Sequence, residues 1–339
     1  MKVFLLPKIS TDVSINTINS TDLNSNPLIS TGYNYYITQT KDKYIQLVLS
    51  SENVNKRFFY IIENLTRDIP NYDKNIDVVT NKYFNEKVSD NFLQIWEILL
   101  NFQLVTSKVS TNSEVAESVF EHMKKYTNIT IGKNTKYTHM FLINDIILTT
   151  SETEISKKIT KFISNINKLE KNGSLIIKIK DFITMPSLQL LYMLSYLFEN
   201  VYMYQPDFSY ISHGEKYIVC TNFTGKQLKY NTDNSFLLLD TTIPSEYIFT
   251  LNIINRILMQ EEYIMLNIMR TYIESQNYNG EEYHKYLGKQ KVNSDKWIAN
   301  HLMVSSKDYD ELKKIKEKEL STALENYRNM IEERSKMYL

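Results

Sequence analysis

Glycine is scarce in this sequence, at 7 of 339 residues, against a usual share of roughly 7%. None lies between Gly32 and Gly132. A ligand cradle built on glycine's left-handed backbone therefore has no place in that stretch, and no Gly-x-x-x-x-Gly-Lys phosphate loop occurs anywhere. A single cysteine, Cys220, excludes an internal disulfide and a cysteine-based zinc cluster, and suits a reducing compartment. His122, His139, His213, His284 and His301 are scattered and form no His-Glu-x-x-His helix, which argues against a histidine-based metal site. Neither sign of charge is in excess, with 39 Lys+Arg against 39 Asp+Glu. No global pull toward nucleic acid follows, although a local basic groove is compatible with a zero sum. The apolar run Val3-Phe4-Leu5-Leu6 is too short for a signal peptide, and no segment has transmembrane length. The expectation is an intracellular protein without a membrane partner.

What is present is enough apolar residue, 42%, for a sizeable core. Residues 1–90 read as an irregular N-terminal elaboration with short strands and one helix. Within it Ser10 to Ser30 is a polar, exposed loop, and Tyr44-Ile45-Gln46-Leu47-Val48-Leu49 alternates like a strand. From Asn91, the residues Phe92, Leu93, Ile95, Trp96, Ile98, Leu99 and Leu100 give a helix with a wide apolar stripe. Strand and helix signals then alternate. Strands are expected at 102–107, 137–143, 174–179, 201–204 and 216–221, and helices at 113–126, 152–171 and 186–199. That alternation predicts an α/β sheet with helices on both faces. Residues 226–339 form a helical C-terminal extension, with helices at 245–278, 281–303 and 307–337. Leu251, Ile253, Ile254, Ile257 and Leu258 supply the first of these with an apolar face for the sheet. In the last helix, Lys313, Lys314, Lys316 and Lys318 interleave with Glu317 and Glu319, which reads as a solvated face.

The block from Leu169 to Phe223 is the most informative. Gly173-Ser174-Leu175-Ile176-Ile177-Lys178 precedes a leucine-rich helix from Ser187 to Leu197, an outward strand at Val201, and Ser212-His213-Gly214-Glu215-Lys216-Tyr217-Ile218-Val219. In this order the segments resemble the second half of an FtsJ-like RNA ribose 2′-O-methyltransferase domain, of the kind encoded by large DNA viruses. The resemblance implies a Rossmann-like methyltransferase domain over residues 91–225, mostly parallel, with the strand at Lys216 running antiparallel. It also implies a Lys-Asp-Lys-Glu catalytic set. A ribose hydroxyl is a poor nucleophile, so a lysine must steer or accept its proton while carboxylates orient that lysine. By the resemblance Lys178 takes the second lysine's place and Glu215 the final glutamate's. Asp145 lies near the family's Asp-Gly-Gly position, here followed by Ile146-Ile147. Gln94 stands where the first lysine is expected, and an amide does not titrate.

The family's S-adenosylmethionine loop, an acidic-x-Pro-Gly-Gly-Phe turn, corresponds to Ser107 to Phe120, where Ser110, Thr111, Asn112 and Ser113 replace the glycines. Thr111-Asn112-Ser113-Glu114 instead fits a capping box with Thr111 as N-cap. The resulting expectation is an inactive methyltransferase homologue without cofactor, acting as a binding or scaffolding subunit. Its partners would be RNA or other capping and transcription proteins, in the infected cell's cytoplasm or the virion. Two alternatives remain: an active, S-adenosylmethionine-dependent cap 2′-O-methyltransferase, and a virion structural protein that retains the fold.

Overall fold

The computed structural model describes residues 1–9, 17–20, 28–50, 62–64, 67–70, 74–104, 108–111, 113–127, 130–131, 137–142, 166–179, 182–226, 236–239, 242–275, 280–302 and 306–338. In chain order the elements are β1 (Lys2–Leu5), β2 (Thr17–Ser20), α1 (Thr31–Ser50), α2 (Lys74–Phe84), α3 (Asp90–Asn101), β3 (Lys108–Thr111), α4 (Glu114–Met123), β4 (Thr130–Ile131) and β5 (Tyr137–Leu142). They continue with β6 (Leu169–Ile179), α5 (Met185–Leu197), β7 (Phe198–Gln205), β8 (Lys216–Phe223), β9 (Phe236–Leu239), α6 (Ser245–Ser275), α7 (Glu281–His301) and α8 (Ser306–Tyr338).

The fold is mixed α/β. Seven strands form one sheet in the order β1-β7-β8-β6-β5-β3-β4, and β2 pairs with β9 in a separate ribbon. β4, β3, β5 and β6 pair in parallel. β8 runs antiparallel to both of its neighbours, β6 and β7, and β1 runs antiparallel to β7.

The central strand β6 is buried without a break from Gly173 to Ile177, as a strand covered on both faces must be. Its side chains alternate between two cores. Leu175, Ile177 and Ile179 pack with α5 and with the buried face of α6, including Leu251, Ile254, Ile257 and Leu258. Ile176 packs on the other side with α3, α4 and Trp297 of α7. Lys178 follows Ile176 by two residues and so points toward the α3 face. β8 repeats the pattern, with Ile218 and Cys220 on the α5 side and Tyr217 and Val219 on the α3 side. Each fully buried aliphatic side chain contributes about 1.5–3 kcal/mol, so the long α6 stripe anchors that helix to the sheet.

Several sequence expectations are corrected. Tyr44 to Leu49 is the second half of helix α1 rather than a strand. Tyr33, Ile37, Thr40, Tyr44 and Leu47 all lie on its covered side, and their spacing by three and four is a helical period. The strand expected at 102–107 begins later, at Lys108. Phe102 instead caps α3, its N–H reaching Ile98 O, and 105–107 lie outside the described residues. The helix expected at 152–171 falls mostly outside the described residues, but its last three positions already belong to β6. The exposed loop ends before Ile29, since Ile29 and Ser30 are buried and Ser30 bonds Asn252 Oδ1 through both its N–H and its hydroxyl. Thr17 to Ser20, within the same stretch, is strand β2. The expected N-terminal elaboration supplies β1, which lies at the end of the main sheet opposite β4.

Candidate functional site

Parallel strands β5 and β6 end on one edge of the sheet, and antiparallel β8 begins there. Register does the positioning: Lys178 of β6 sits opposite Tyr217 of β8, and Ile179 opposite Lys216. Glu215, one residue before β8, therefore falls beside the end of β6. Lys178 Nζ lies 3.2 Å from Glu215 Oε1 and donates to Asn91 Oδ1 at 2.9 Å. Asn91 is placed by the first turn of α3, whose N-cap Ser89 accepts the N–H of Phe92. Two of the residues picked from the sequence, Lys178 and Glu215, thus meet, with side chains 13% and 26% exposed.

Gln94, one turn further along α3, is 1% exposed and belongs to the interior. Its Nε2 donates to Phe208 O at 3.2 Å, and its Oε1 accepts from the Tyr217 hydroxyl at 2.8 Å. Asp145 and Asn112 lie outside the described residues.

The turn between β3 and α4 is closed by its own side chains. Thr111 Oγ1 accepts the N–H of Ser113 at 3.1 Å, and Ser113 Oγ accepts the N–H of Ala116 at 3.4 Å. The N-cap is therefore Ser113, two residues after the Thr111 expected from the capping-box pattern. Ser110 and Thr111 end strand β3. Backbone amides that could greet an anionic group at this helix start are thus partly engaged within the chain. The described residues here lack glycine, and the hydroxyls of Thr111 and Ser113 bond the backbone where the family resemblance implies a glycine cradle for S-adenosylmethionine.

The sequence reading missed Asn91 and Arg67. Asn91 lies three residues before Gln94, so the helical period could have placed it beside the same site. Arg67 carries no such signal. Its guanidinium is buried, reaching Asp90 Oδ2 at 2.9 Å through Nη1 and Phe208 O at 2.8 Å through Nη2, with the Tyr210 ring 4.2 Å away. Phe208 O thus accepts from both Arg67 and Gln94, which ties the segment after β7 to α3.

Behind this site lies a buried acid. Glu97 accepts from the Tyr204 hydroxyl, from Trp297 Nε1 at 3.0 Å and from the N–H of Asp207 at 3.1 Å. Burial, aided by the nearby charge of Asp207, pushes its carboxyl up to about 8, against those three hydrogen bonds that favour the anion. His301 is held well below the usual histidine range by burial and by Lys316. Its Nδ1 donates to Trp297 O at 3.0 Å, and its Nε2 accepts from Lys316 at 3.1 Å. Lys316, expected on a solvated face, is in fact buried at 1% exposure and also pairs with Glu319 at 3.0 Å.

Among the described residues no cluster of three or more His, Cys, Asp or Glu side chains could hold a metal, and no helix is long and apolar enough to cross a membrane. No known family pattern matches the chain. Over 322 residues it is 26% identical to an uncharacterized protein of Acanthamoeba polyphaga mimivirus, a span covering 87% of this chain and 89% of that protein, so the similarity is to a viral protein and runs nearly end to end.

Proposed function

We propose that this chain is an FtsJ-like methyltransferase homologue of Rossmann-like descent that no longer turns over and serves as a binding or scaffolding subunit in viral mRNA capping or RNA processing. One observation carries the reading: Lys178 and Glu215, the two residues with the clearest counterparts in the family, form an ion pair where antiparallel β8 lies beside β6. The resemblance implies just such an antiparallel last strand in an otherwise mostly parallel sheet. The similarity to a mimivirus protein agrees with a viral origin.

Inactivity is supported by what surrounds the pair. The ammonium of Lys178 is engaged by Glu215 and Asn91, and Gln94 is tied into the core by Tyr217 and Phe208. The turn after β3 holds no glycine and bonds to itself. Loss of a single group that handles a proton or stabilises charge lowers a rate by about 10²–10⁴, and here the loop for the methyl donor is missing as well.

The test is titration of the protein with S-adenosylmethionine in a calorimeter, alongside methyl transfer to capped RNA. The expected result is no binding heat and no transfer. Robust transfer that disappears in Lys178→Ala would overturn this reading in favour of an active cap 2′-O-methyltransferase.

A further inference from the structure

A cleft of about 730 Å³ opens beside α7 and α8, with Trp297 and His301 among its lining residues. It contains neither Lys178 nor Glu215. Its size lies in the range of small-ligand sites, roughly 300–1,000 Å³, and it is open to solvent on one side.

The charge inside is unbalanced in a specific way. Three carboxylates line the cleft, and each has a cation within 4 Å. Asp68 lies 3.7 Å from Lys2, which it shares with Glu261 at 2.8 Å, while Asp207 faces the Met1 amino group at 3.5 Å and Glu319 faces Lys316 at 3.0 Å. Three further lysines on the lining, Lys289 and Lys296 of α7 and Lys318 of α8, have no ion-pair partner among the described residues. Helical spacing brings them together. Lys289, Asn293, Lys296 and Asn300 recur at intervals of three and four along α7, and Lys318, Thr322 and Asn326 recur every four along α8. Each helix therefore turns a row of ammonium, amide and hydroxyl groups into the same space.

The buried floor holds this arrangement in place. Trp297 and His301 stack at 4.8 Å, Trp297 is fixed by Glu97, and His301 receives the ammonium of Lys316. Lys316 thereby ties α8 to α7 from inside, leaving the exposed lysines free to meet a ligand.

We infer that this cleft binds a phosphate-bearing ligand through Lys289, Lys296 and Lys318. Three separated, flexible point charges match several phosphoryl oxygens on one ligand. A planar carboxylate would be better served by a guanidinium, and the lining contains no arginine. The same phosphoryl chemistry is offered by a free polyphosphate and by the backbone of single-stranded RNA. The inference stands apart from the methyltransferase-like reading, since neither the Lys178 pair nor a methyl donor enters it.

The experiment uses the full chain and two probes: inorganic tripolyphosphate by calorimetry, and a short fluorescein-labelled single-stranded RNA by anisotropy. The wild type should bind at least one of them, more weakly as salt rises. Binding of tripolyphosphate and RNA alike assigns the site to the phosphoryl group itself, and binding of RNA alone assigns it to the strand. The triple variant Lys289→Gln, Lys296→Gln, Lys318→Gln removes only exposed charges and should lose affinity at least tenfold. A control carrying Lys82→Gln, Lys87→Gln and Lys171→Gln, exposed elsewhere, should keep it. Absence of binding to both probes overturns the inference, as does an equal loss in the two triple variants.

Discussion

Lys178 and Glu215 sit 37 positions apart in sequence, yet the antiparallel register of β6 and β8 brings Nζ and Oε1 to 3.2 Å. A pair so placed has structural work to do whether or not it ever served chemistry. Lys178→Ala leaves Glu215 and Asn91 Oδ1 without their donor in a largely buried corner. We expect a loss of about 1–3 kcal/mol, measured by urea unfolding. In a double-mutant cycle with Glu215→Ala the two losses should fall short of additive; strict additivity would show that the pair contributes nothing.

Restoring the lysine expected at position 94 should harm the protein. Gln94 is buried, and both ends of its amide are bonded, to Phe208 O and to the Tyr217 hydroxyl. Gln94→Lys would place an ammonium opposite a hydroxyl that must reorient, in a site closed to water. The expected penalty is about 3 kcal/mol or more, seen as a large drop in Tm with no gain of methyl transfer. A variant as stable as wild type would refute this account of position 94.

Glu97 gives a pH dependence with a definite sign. Its carboxyl is pushed up to about 8 in the folded protein from an ordinary value of 4.5. The folded chain therefore holds a proton that the unfolded chain has released between those two values. The stability this contributes is fully present below about pH 4.5 and is lost as pH rises toward 8. Comparing unfolding free energies at several pH values in this window, wild type should decline more steeply than Glu97→Gln. Parallel profiles would show that Glu97 is ionised in the fold.

Gly214 is required by its backbone and by its neighbour. It has φ +66, and a Cβ there would come within 2.7 Å of Glu262 Oε2, a buried carboxylate paired with Lys41. Gly214→Ala should destabilise the protein by about 1–3 kcal/mol, read from the Tm. Part of that loss should be absent when the same change is made in a Glu262→Ala background, because the clash has then gone. Equal losses in the two backgrounds would leave backbone strain as the sole cause.

What the sequence made legible follows from how each signal arises. β6, β7, β8 and the three long C-terminal helices declared themselves because a covered strand shows as an apolar run, and burial along one helical stripe imposes a period on apolar residues. β3 did not, since Lys108-Val109-Ser110-Thr111 carries one apolar side chain, and the neighbouring Phe102 and Leu104 mimic a strand while packing beneath α3. Tyr44 to Leu49 alternates over six residues, and only the longer window back to Tyr33 reveals the helix. Lys178 and Glu215 were found through the order of motifs around them. The lysine-lined cleft was hidden because Lys316 and Lys318 look alike in sequence. Only tertiary packing buries the first against His301 and leaves the second facing the cleft.

The outer position of β1 bears on how the molecule is made. Lys2–Leu5 completes the sheet against β7, and Phe4 meets Tyr327 of α8 with ring centroids 4.4 Å apart. Residues 2–5 leave the ribosome well before their partners, which lie some two hundred and three hundred residues downstream. This strand must therefore wait about two hundred residues for β7 to pair with it, and longer still for α8 to cover it. Contacts this distant in sequence slow folding, and an unpaired β-strand held open for that time is a surface on which nascent chains associate. Chaperone demand should accordingly be greatest late in translation, and chains truncated before α8 should aggregate rather than accumulate as a smaller folded form.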